Sequence, residues 1–593
     1  MAQDRDDRPS VSVVKKAGEG TEDNPKKVAG TVGRTAPREA VNGGNGGTAS
    51  AGSATRRERY LIGIRDGTGV QSMDTIVEYL RRQENVDVVR RIKLGGAQPF
   101  AAERGGANEV IVAKIDAGKA ERLRAAAPPH LIIEHDALLH RADTLTLPAQ
   151  AAAIGTMLPL RSVATEIAIR VLGERDQPLG KATVVLYGEG LPAQALTDDS
   201  GVARLTFFGG PVESVQALCI NPAANHWDRF IVAPRLNASG VNTVTVHPLS
   251  ELFPGFPNER LLGWGQRLMH IEQTGARFTG SGVRIGIIDS GCDNSHPQLR
   301  HVTHGRDFTE GASDSSWTED VISHGTHCTG VIAAASTGQG VVGFAPEAQV
   351  HVLKVLPGGR VSDLLAALDE CIEQELDIVN ISAVSAEMSE LVAQKLQEAR
   401  QKGIACIAAA GNWGGTVGFP AILPTVMAVA AVGKLKEFPA DSCHTHSVIP
   451  HLVGADGVFA ASFSSTGPQI SVSAPGVAVV STVPGGGYAP SDGTSVAAAH
   501  VTGLAALVLA HHPLFQEGPY RMRSEQRVQA LLSLIQASAV PHFADSQRGG
   551  AGVPDLQRVP GEQTRAIPAW PGMMFVAPNS WQVLMQMRAA GLV

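Results

Sequence analysis

The sequence has little of what would tie it to a nucleic acid, a membrane or a disulfide scaffold. Its 593 residues carry 50 Lys and Arg against 57 Asp and Glu, a formal net charge of -7. So mild and mixed a balance gives no electrostatic argument for nucleic acid or for an anionic lipid surface. The opening residues, MAQDRDDRPS, lack the apolar core of a secretory signal. The longest apolar run follows Ser495, is broken by His500, Thr502 and Gly503, and is expected to fall short of a membrane span. Cysteine is scarce: Cys219, Cys292, Cys328, Cys371, Cys406 and Cys443 are spread widely and read as scattered thiols. The missing signal and the thiols together favour a cytoplasmic location, and they leave open export by a signal-independent route. Apolar residues make up 43% of the chain, enough for ordinary cores, and the length predicts three or four units.

Large apolar residues are nearly missing from residues 1–57 as well, where Gly, Ala, Lys, Asp and Thr dominate. Such a segment buries too little surface to offset its ordering entropy, so disorder is expected. Residues 58–143 then supply a strand at Tyr60–Ile64, a helix capped by Asp74, strands at Val86–Val89 and Glu109–Ile115, a helix from Ala117 to Ala126 and a strand at Leu131–Glu134. That order is the ferredoxin-like split βαβ arrangement of a small α+β module. Residues 144–160 form an Ala/Thr/Pro linker, and over 161–250 the hydrophobic period becomes two. Short strands at Glu166–Val171, Ala182–Tyr187, Ala203–Phe207, Ser214–Leu218 and Thr243–Val246, parted by turns such as Asp198–Gly201, predict a small β-sandwich. Its segments Pro178–Val184 and Thr197–Ala203 resemble the carboxypeptidase-regulatory-like sandwich, which implies a non-catalytic module.

From 256 to 540 strands alternate with helices. Val283–Ile288 is almost continuously apolar, as expected when both faces of a parallel sheet are covered. Ser362 is placed as the cap of a helix carrying Leu364, Leu365, Leu368 and Ile372, and strands follow at Ile378–Ile381, Ile404–Ala408 and Val426–Val432. The prediction is a doubly wound, mostly parallel α/β domain, with its site beyond the carboxyl ends of the strands. The tail, 541–593, is rich in Pro, Gly and Gln, with one helix near Trp581 to Ala590.

Four residues of this region carry chemistry. In SDGTSVAAAHVTG (491–503), a flexible turn delivers Ser495 into the first turn of a buried helix, where free N–H groups favour negative charge. Asp289 ends the first apolar strand, His324 opens another apolar helix beside Gly325, and Asn412 ends a strand of small residues. Each alone has a bland explanation: a helix cap, an Asx turn, a satisfied core histidine, a turn asparagine. Together they supply nucleophile, orienting carboxylate, base and oxyanion donor. The chain order Asp…His…Ser is that of subtilisin, and the Gly-x-Ser-x-Gly elbow of α/β-hydrolases is missing around Ser495.

On the motifs Ile288–Gly291, His324–His327, Ala409–Asn412 and Gly493–Ser495, residues 256–540 resemble a subtilisin-like serine peptidase. His296–Pro297, Gly343–Pro346, Phe463–Gly467 and Ala474–Gly476 support the likeness. The resemblance implies that Asp289 orients His324, that His324 takes the proton of Ser495, and that Asn412 joins the Ser495 N–H as oxyanion hole. It implies that Ser382, Ala383 and Val384, with Ala410 and Gly411, bind the substrate backbone and line the specificity pocket. Two positions depart from the family: Ala499 stands where Pro is usual, and Val384 stands where Gly is usual. The first module, with Val112–Lys114 and Ile133–Asp136, is similar to the subtilisin propeptide, which implies an intramolecular inhibitor and self-cleavage near Arg141 to Thr144. The implied partners are a protein or peptide substrate and the chain's own propeptide.

His324-x-x-His327-Cys328 and Cys443–His446 have some metal-ligand character without a full tetrahedral set at zinc spacing, so no metal is assigned. No cofactor is called for, and structural calcium, common in the family, has no compact carboxylate cluster behind it. Cys292 and Cys328, close in sequence to Asp289 and His324, read as buried small hydrophobes, near enough to those residues for thiol reagents to inactivate an enzyme. Two other readings use the same residues: a catalytically silent relative that binds a protein partner, and an esterase or peptide ligase.

Overall fold

Ile285, Ile287 and Ile288 are fully buried because the strand that carries them, Arg284–Asp289, has no face turned to water. The computed structural model of the chain describes residues 12–13, 57–65, 73–94, 109–141, 164–189, 191–273 and 278–559. Within it, Arg284–Asp289 lies inside a nine-stranded sheet. The order runs His304–Asp307, Gln349–Lys354, Arg284–Asp289, Ile378–Ile381, Ala405–Ala409, Met427–Lys434, Val458–Ala461, Val448–Val453, with Ile470–Pro475 also on Met427–Lys434. The first six are parallel, and the last two join antiparallel. Helices His324–Ala333, Thr494–His511 and Glu525–Ala537 share one core with Ile285 and Ile287. Helices Val361–Glu373 and Glu390–Gln401 share the opposite core with Ile288. This is the doubly wound, mostly parallel arrangement expected from the sequence.

Three expectations for this domain need correction. Helix Thr494–His511 does reach the length and apolarity of a membrane-crossing helix, but 89% of it is buried inside the domain, which gives its apolarity a core to serve. Ser362 is not the cap of its helix, which begins at Val361 with Arg360 as the preceding residue. The domain also runs past 540: Val540 bridges Val553, and the N–H of Ala551 donates to the carbonyl of Ser471 at 3.0 Å. Gly550 makes that approach possible, since a Cβ there would sit 2.7 Å from Ser471 backbone atoms and its φ is +58°. The helix expected near Trp581 lies outside the described residues.

Residues 57–141 hold strands Arg57–Ile64, Val86–Lys93, Glu109–Asp116 and Leu131–His135, in the sheet order second, third, first, fourth, all antiparallel. Helices Met73–Arg81 and Ala117–Ala126 accompany them, the second capped by Asp116. The first begins one residue before Asp74, which therefore sits in the first turn, where its charge suits the helix dipole.

Residues 164–250 form two four-stranded sheets that share one core, containing Ile167, Ile169, Val184, Leu186, Leu205, Phe207 and Leu218. The strands are those expected, with two additions, Ala193–Leu196 and Arg229–Val232. Ser214 falls ahead of the strand Ala217–Asn221 rather than in it. One sheet is completed by Ser12–Val13 on Val241–Thr245, inside the stretch expected to be disordered. The rest of that stretch, up to 56, and the 144–160 linker lie outside the described residues.

Candidate active site

Parallel strands deliver their carboxyl ends to one rim of the sheet, and Asp289 sits there as the last residue of its strand. His324 opens its helix after Ser323, whose φ of +62° turns the chain sharply into it. Ser495 is the second residue of helix Thr494–His511. The structure brings the three together: His324 Nδ1 lies 2.6 Å from Asp289 Oδ1, and His324 Nε2 lies 2.7 Å from Ser495 Oγ. All three are buried. Burial alone would push the Asp289 carboxyl up, but the His324 imidazole beside it outweighs burial and holds the carboxyl below its ordinary range. The N–H of Ser290 donates to Asp289 Oδ1 at 2.7 Å.

A polar layer behind the histidine fixes its helix. The Ser290 hydroxyl donates to Asp320 Oδ1 at 2.8 Å and accepts from the N–H of Gly325 at 2.8 Å. The N–H and hydroxyl of Thr326 both donate to Asp320 Oδ2. Gly325 is what allows this closeness, because a Cβ there would stand 2.1 Å from the Gly291 carbonyl oxygen.

Asn412 meets the start of helix Thr494–His511 with its amide already oriented. Its Oδ1 accepts from the N–H of Thr494 at 2.9 Å and from the Thr494 hydroxyl at 2.8 Å. A backbone N–H can only donate, so the amide cannot be flipped, and Nδ2 is left as a buried donor with no partner among the described residues. The Thr494 hydroxyl in turn accepts from the N–H of Gly411 at 3.0 Å. A buried, unpaired donor beside a serine at a helix N-terminus is what a developing oxyanion needs.

The residues implied to hold substrate fall on two segments, 382–384 and 410–411. Ala383–Val384 forms an antiparallel pair with His140–Arg141, the end of the first module. On the other side of that segment the Leu139 N–H donates to the Gly359 carbonyl at 2.9 Å, and the Val361 N–H donates to the Ala137 carbonyl at 3.0 Å. Residues 137–141 therefore run as a middle strand between two edges of the catalytic domain. Ser382 is buried, its hydroxyl accepting from Asn380 Nδ2 at 2.8 Å. Ala410 and Gly411 lie just past the strand Ala405–Ala409, on the Asn412 side. Val384 is buried, with its backbone on His140.

Two carboxylates of the first module hold helix N-termini of the catalytic domain. Asp136 accepts from the N–H and hydroxyl of Ser362, at 2.9 and 3.0 Å. Glu134 accepts from the Ser389 hydroxyl and, at 2.8 Å, from the Glu390 N–H. Neither role was read from the sequence, because each cap comes from a residue more than two hundred positions from the helix it serves. The same holds for Asp228, whose Oδ1 lies 3.1 Å from His444 Nε2, while His444 Nδ1 lies 2.7 Å from Asp492 Oδ1. These are ion-pair contacts rather than in-line hydrogen bonds.

Asp289, His324 and Cys328 place ligand-type atoms within 4.8 Å of one another. His324 has both ring nitrogens engaged with Asp289 and Ser495, which leaves this set no open imidazole nitrogen to offer a metal ion. Cys328 Sγ lies 4.0 Å from His324 Nε2, and burial pushes its thiol up to about 11, well away from a reactive thiolate.

Residues 280–552 match the Subtilase family. Among characterised proteins, the chain is 37% identical over 256 residues to Subtilisin of Bacillus pumilus, a match that covers 42% of this chain and 84% of that protein. It is 35% identical over 268 residues to the Thermostable alkaline protease of Halalkalibacterium halodurans, covering 44% of this chain and 67% of the relative. Against Subtilisin E of Bacillus subtilis the identity is 37% over 256 residues, and the match spans 61% of that relative's length.

Proposed function

The chain belongs to the subtilase family, and from that premise we propose that it is a serine endopeptidase made as a self-processing zymogen. The observation that carries the reading is the line Asp289–His324–Ser495, with the unpaired Nδ2 of Asn412 beside it. Ser495 Oγ attacks the scissile carbonyl as His324 Nε2 accepts its proton, and Asp289 stabilises the imidazolium through Nδ1–H. The carbonyl oxygen becomes an oxyanion held by Asn412 Nδ2 and the Ser495 N–H. His324 then gives its proton to the leaving amine, and the acyl group stays on Ser495. Water, deprotonated by the same histidine, releases the acid and restores the site.

The substrate lies as an added strand along Ser382–Val384, with Ala410 and Gly411 at the pocket wall. In the zymogen that place is taken by residues 137–141, so the first module, a ferredoxin-like propeptide, inhibits by filling the groove. Self-cleavage falls near Arg141 to Thr144, and the β-sandwich stays with the mature enzyme, held at Asp228 and Asn225. A fluorophosphonate probe tests the catalytic reading: the processed protein is expected to be labelled at Ser495, and Ser495→Ala is expected to remain full length and unlabelled. Failure of the processed protein to label would favour a silent, partner-binding relative. A first cut after Ser250 would overturn the placement of the processing site.

A further inference from the structure

One contact of the β-sandwich with the catalytic domain centres on strand Arg229–Val232. Strand Arg229–Val232 lies against 441–446: the Phe230 N–H donates to the Asp441 carbonyl at 2.6 Å, Arg229 Nε pairs with Asp441 Oδ2 at 2.9 Å, and the Cys443 N–H donates to Asp228 Oδ2 at 2.7 Å. The rings of Phe230 and His446 touch edge to face, 4.2 Å between centroids. Beneath them is a small apolar cluster of Tyr187, Ala217, Cys219 and Cys443. The two sulfur atoms in it are 2.7 Å apart, although the residues are 224 positions apart in the chain and belong to different modules.

We propose that Cys219 and Cys443 are a disulfide-forming pair that locks the β-sandwich onto the catalytic domain. Both residues are fixed by the structures around them. Cys219 sits in strand Ala217–Asn221, paired on both sides, and Cys443 is anchored through its N–H to Asp228. Each thiol gives up its proton, the sulfur–sulfur bond forms, and the two electrons reduce a low-molecular-weight disulfide to two thiols. The Cys443 thiol is held well above the ordinary range by its contact with Cys219 and by burial, so exchange in the closed joint is slow. The bond forms as the two modules dock, or during folding in an oxidising medium.

The position of the bond gives it a consequence at the site. His444, next to Cys443, bridges Asp228 of the sandwich to Asp492, and Asp492 stands three residues before Ser495. The Ala478 N–H also donates to Asp492 Oδ1, at 2.7 Å. A bond at Cys443 therefore restrains the segment that holds the turn into the nucleophile helix. The cross-link stands apart from the peptidase reading, which it does not require.

The full chain carrying Ser495→Ala, which prevents self-cleavage, is folded in a reduced/oxidised glutathione mixture or in excess reductant. Free thiols are alkylated, and the protein is digested without reduction and mapped by mass spectrometry. The oxidised sample is expected to yield one linked peptide joining Cys219 to Cys443, two hydrogens lighter than the reduced pair. Its thermal midpoint is expected to lie roughly 4 °C above that of the reduced sample, a gain that Cys219→Ser and Cys443→Ser each remove. Alkylation of both cysteines in the oxidised sample, or their linkage to other cysteines, would overturn the pairing. Equal midpoints in the linked and reduced samples would overturn the locking role.

Discussion

The N–H and the hydroxyl of Thr494 donate to a single atom, Oδ1 of Asn412, and that convergence decides where the asparagine's own N–H groups point. Asn412→Ala is expected to lower kcat by about 10²–10³, the loss known for removing this type of donor in subtilisin, with KM little changed. Thr494→Val keeps the backbone donor and deletes the hydroxyl, so a smaller fall in kcat, about tenfold, is expected. Steady-state kinetics on a peptide substrate check both. A Thr494→Val enzyme as poor as Asn412→Ala would mean that the hydroxyl does more than orient the amide.

Docking of the first module should depend on pH through Glu134. Burial pushes its carboxyl from 4.5 up to about 7, against the hydrogen bonds from Ser389 and the Glu390 N–H. The docked state therefore binds a proton that the free module releases. The stabilisation is fully present below about pH 4.5 and is lost as pH rises through about 7. Retention of the cleaved module, measured by gel filtration or titration, is expected to weaken by about 10² between those limits, with Glu134→Gln flattening the dependence. An unchanged pH profile in Glu134→Gln would assign the dependence to another group.

Asp228, His444 and Asp492 form a second pH-sensitive joint, with the Cys443 thiol and the rings of Trp227 and Phe438 packed around it. Burial opposes charge on His444, but Asp228 and then Asp492 outweigh it and hold the imidazolium well above its ordinary range. Its contribution is present below about pH 6.5 and fades as pH rises through that elevated value. Burial likewise opposes charge on Asp228, His444 overcomes it, and that carboxyl is held low, so its own contribution is lost only in acid. Asp228→Asn is expected to cost about 3 kcal/mol near pH 6 in denaturant unfolding, and less at alkaline pH. A penalty that stays constant with pH would exclude the imidazolium.

In the groove proposed above, Val384 stands where the family resemblance implies glycine. Val384→Gly removes a buried side chain and loosens an edge strand, and the expected cost is about 2 kcal/mol. A peptide-library cleavage profile is expected to admit bulkier residues in the variant than in the parent. Identical profiles would move the pocket wall elsewhere.

In the sequence, the apolar run Val283–Ile288 announces a buried strand. Asp289 and Ser495 each read alone as a turn or a cap, and only the set they form with His324 and Asn412 points to a site. The strand Ala193–Leu196 was missed because Ala and Gln carry little strand preference, and it exists by pairing with Thr183–Tyr187. The caps supplied by Glu134 and Asp136, and the contact of Cys219 with Cys443, left no local pattern at all. They depend on which surfaces the fold brings face to face. Thr494 was visible as a turn residue, but its hold on Asn412 needs two segments 82 positions apart to meet.

The antiparallel pair of His140–Arg141 with Ala383–Val384 also orders events in time. The ribosome releases the strand that fills the groove long before it releases either groove edge or Ser495. Domains that emerge first fold first. In the zymogen proposed above, each nascent cleft therefore closes around a plug already present on the same molecule.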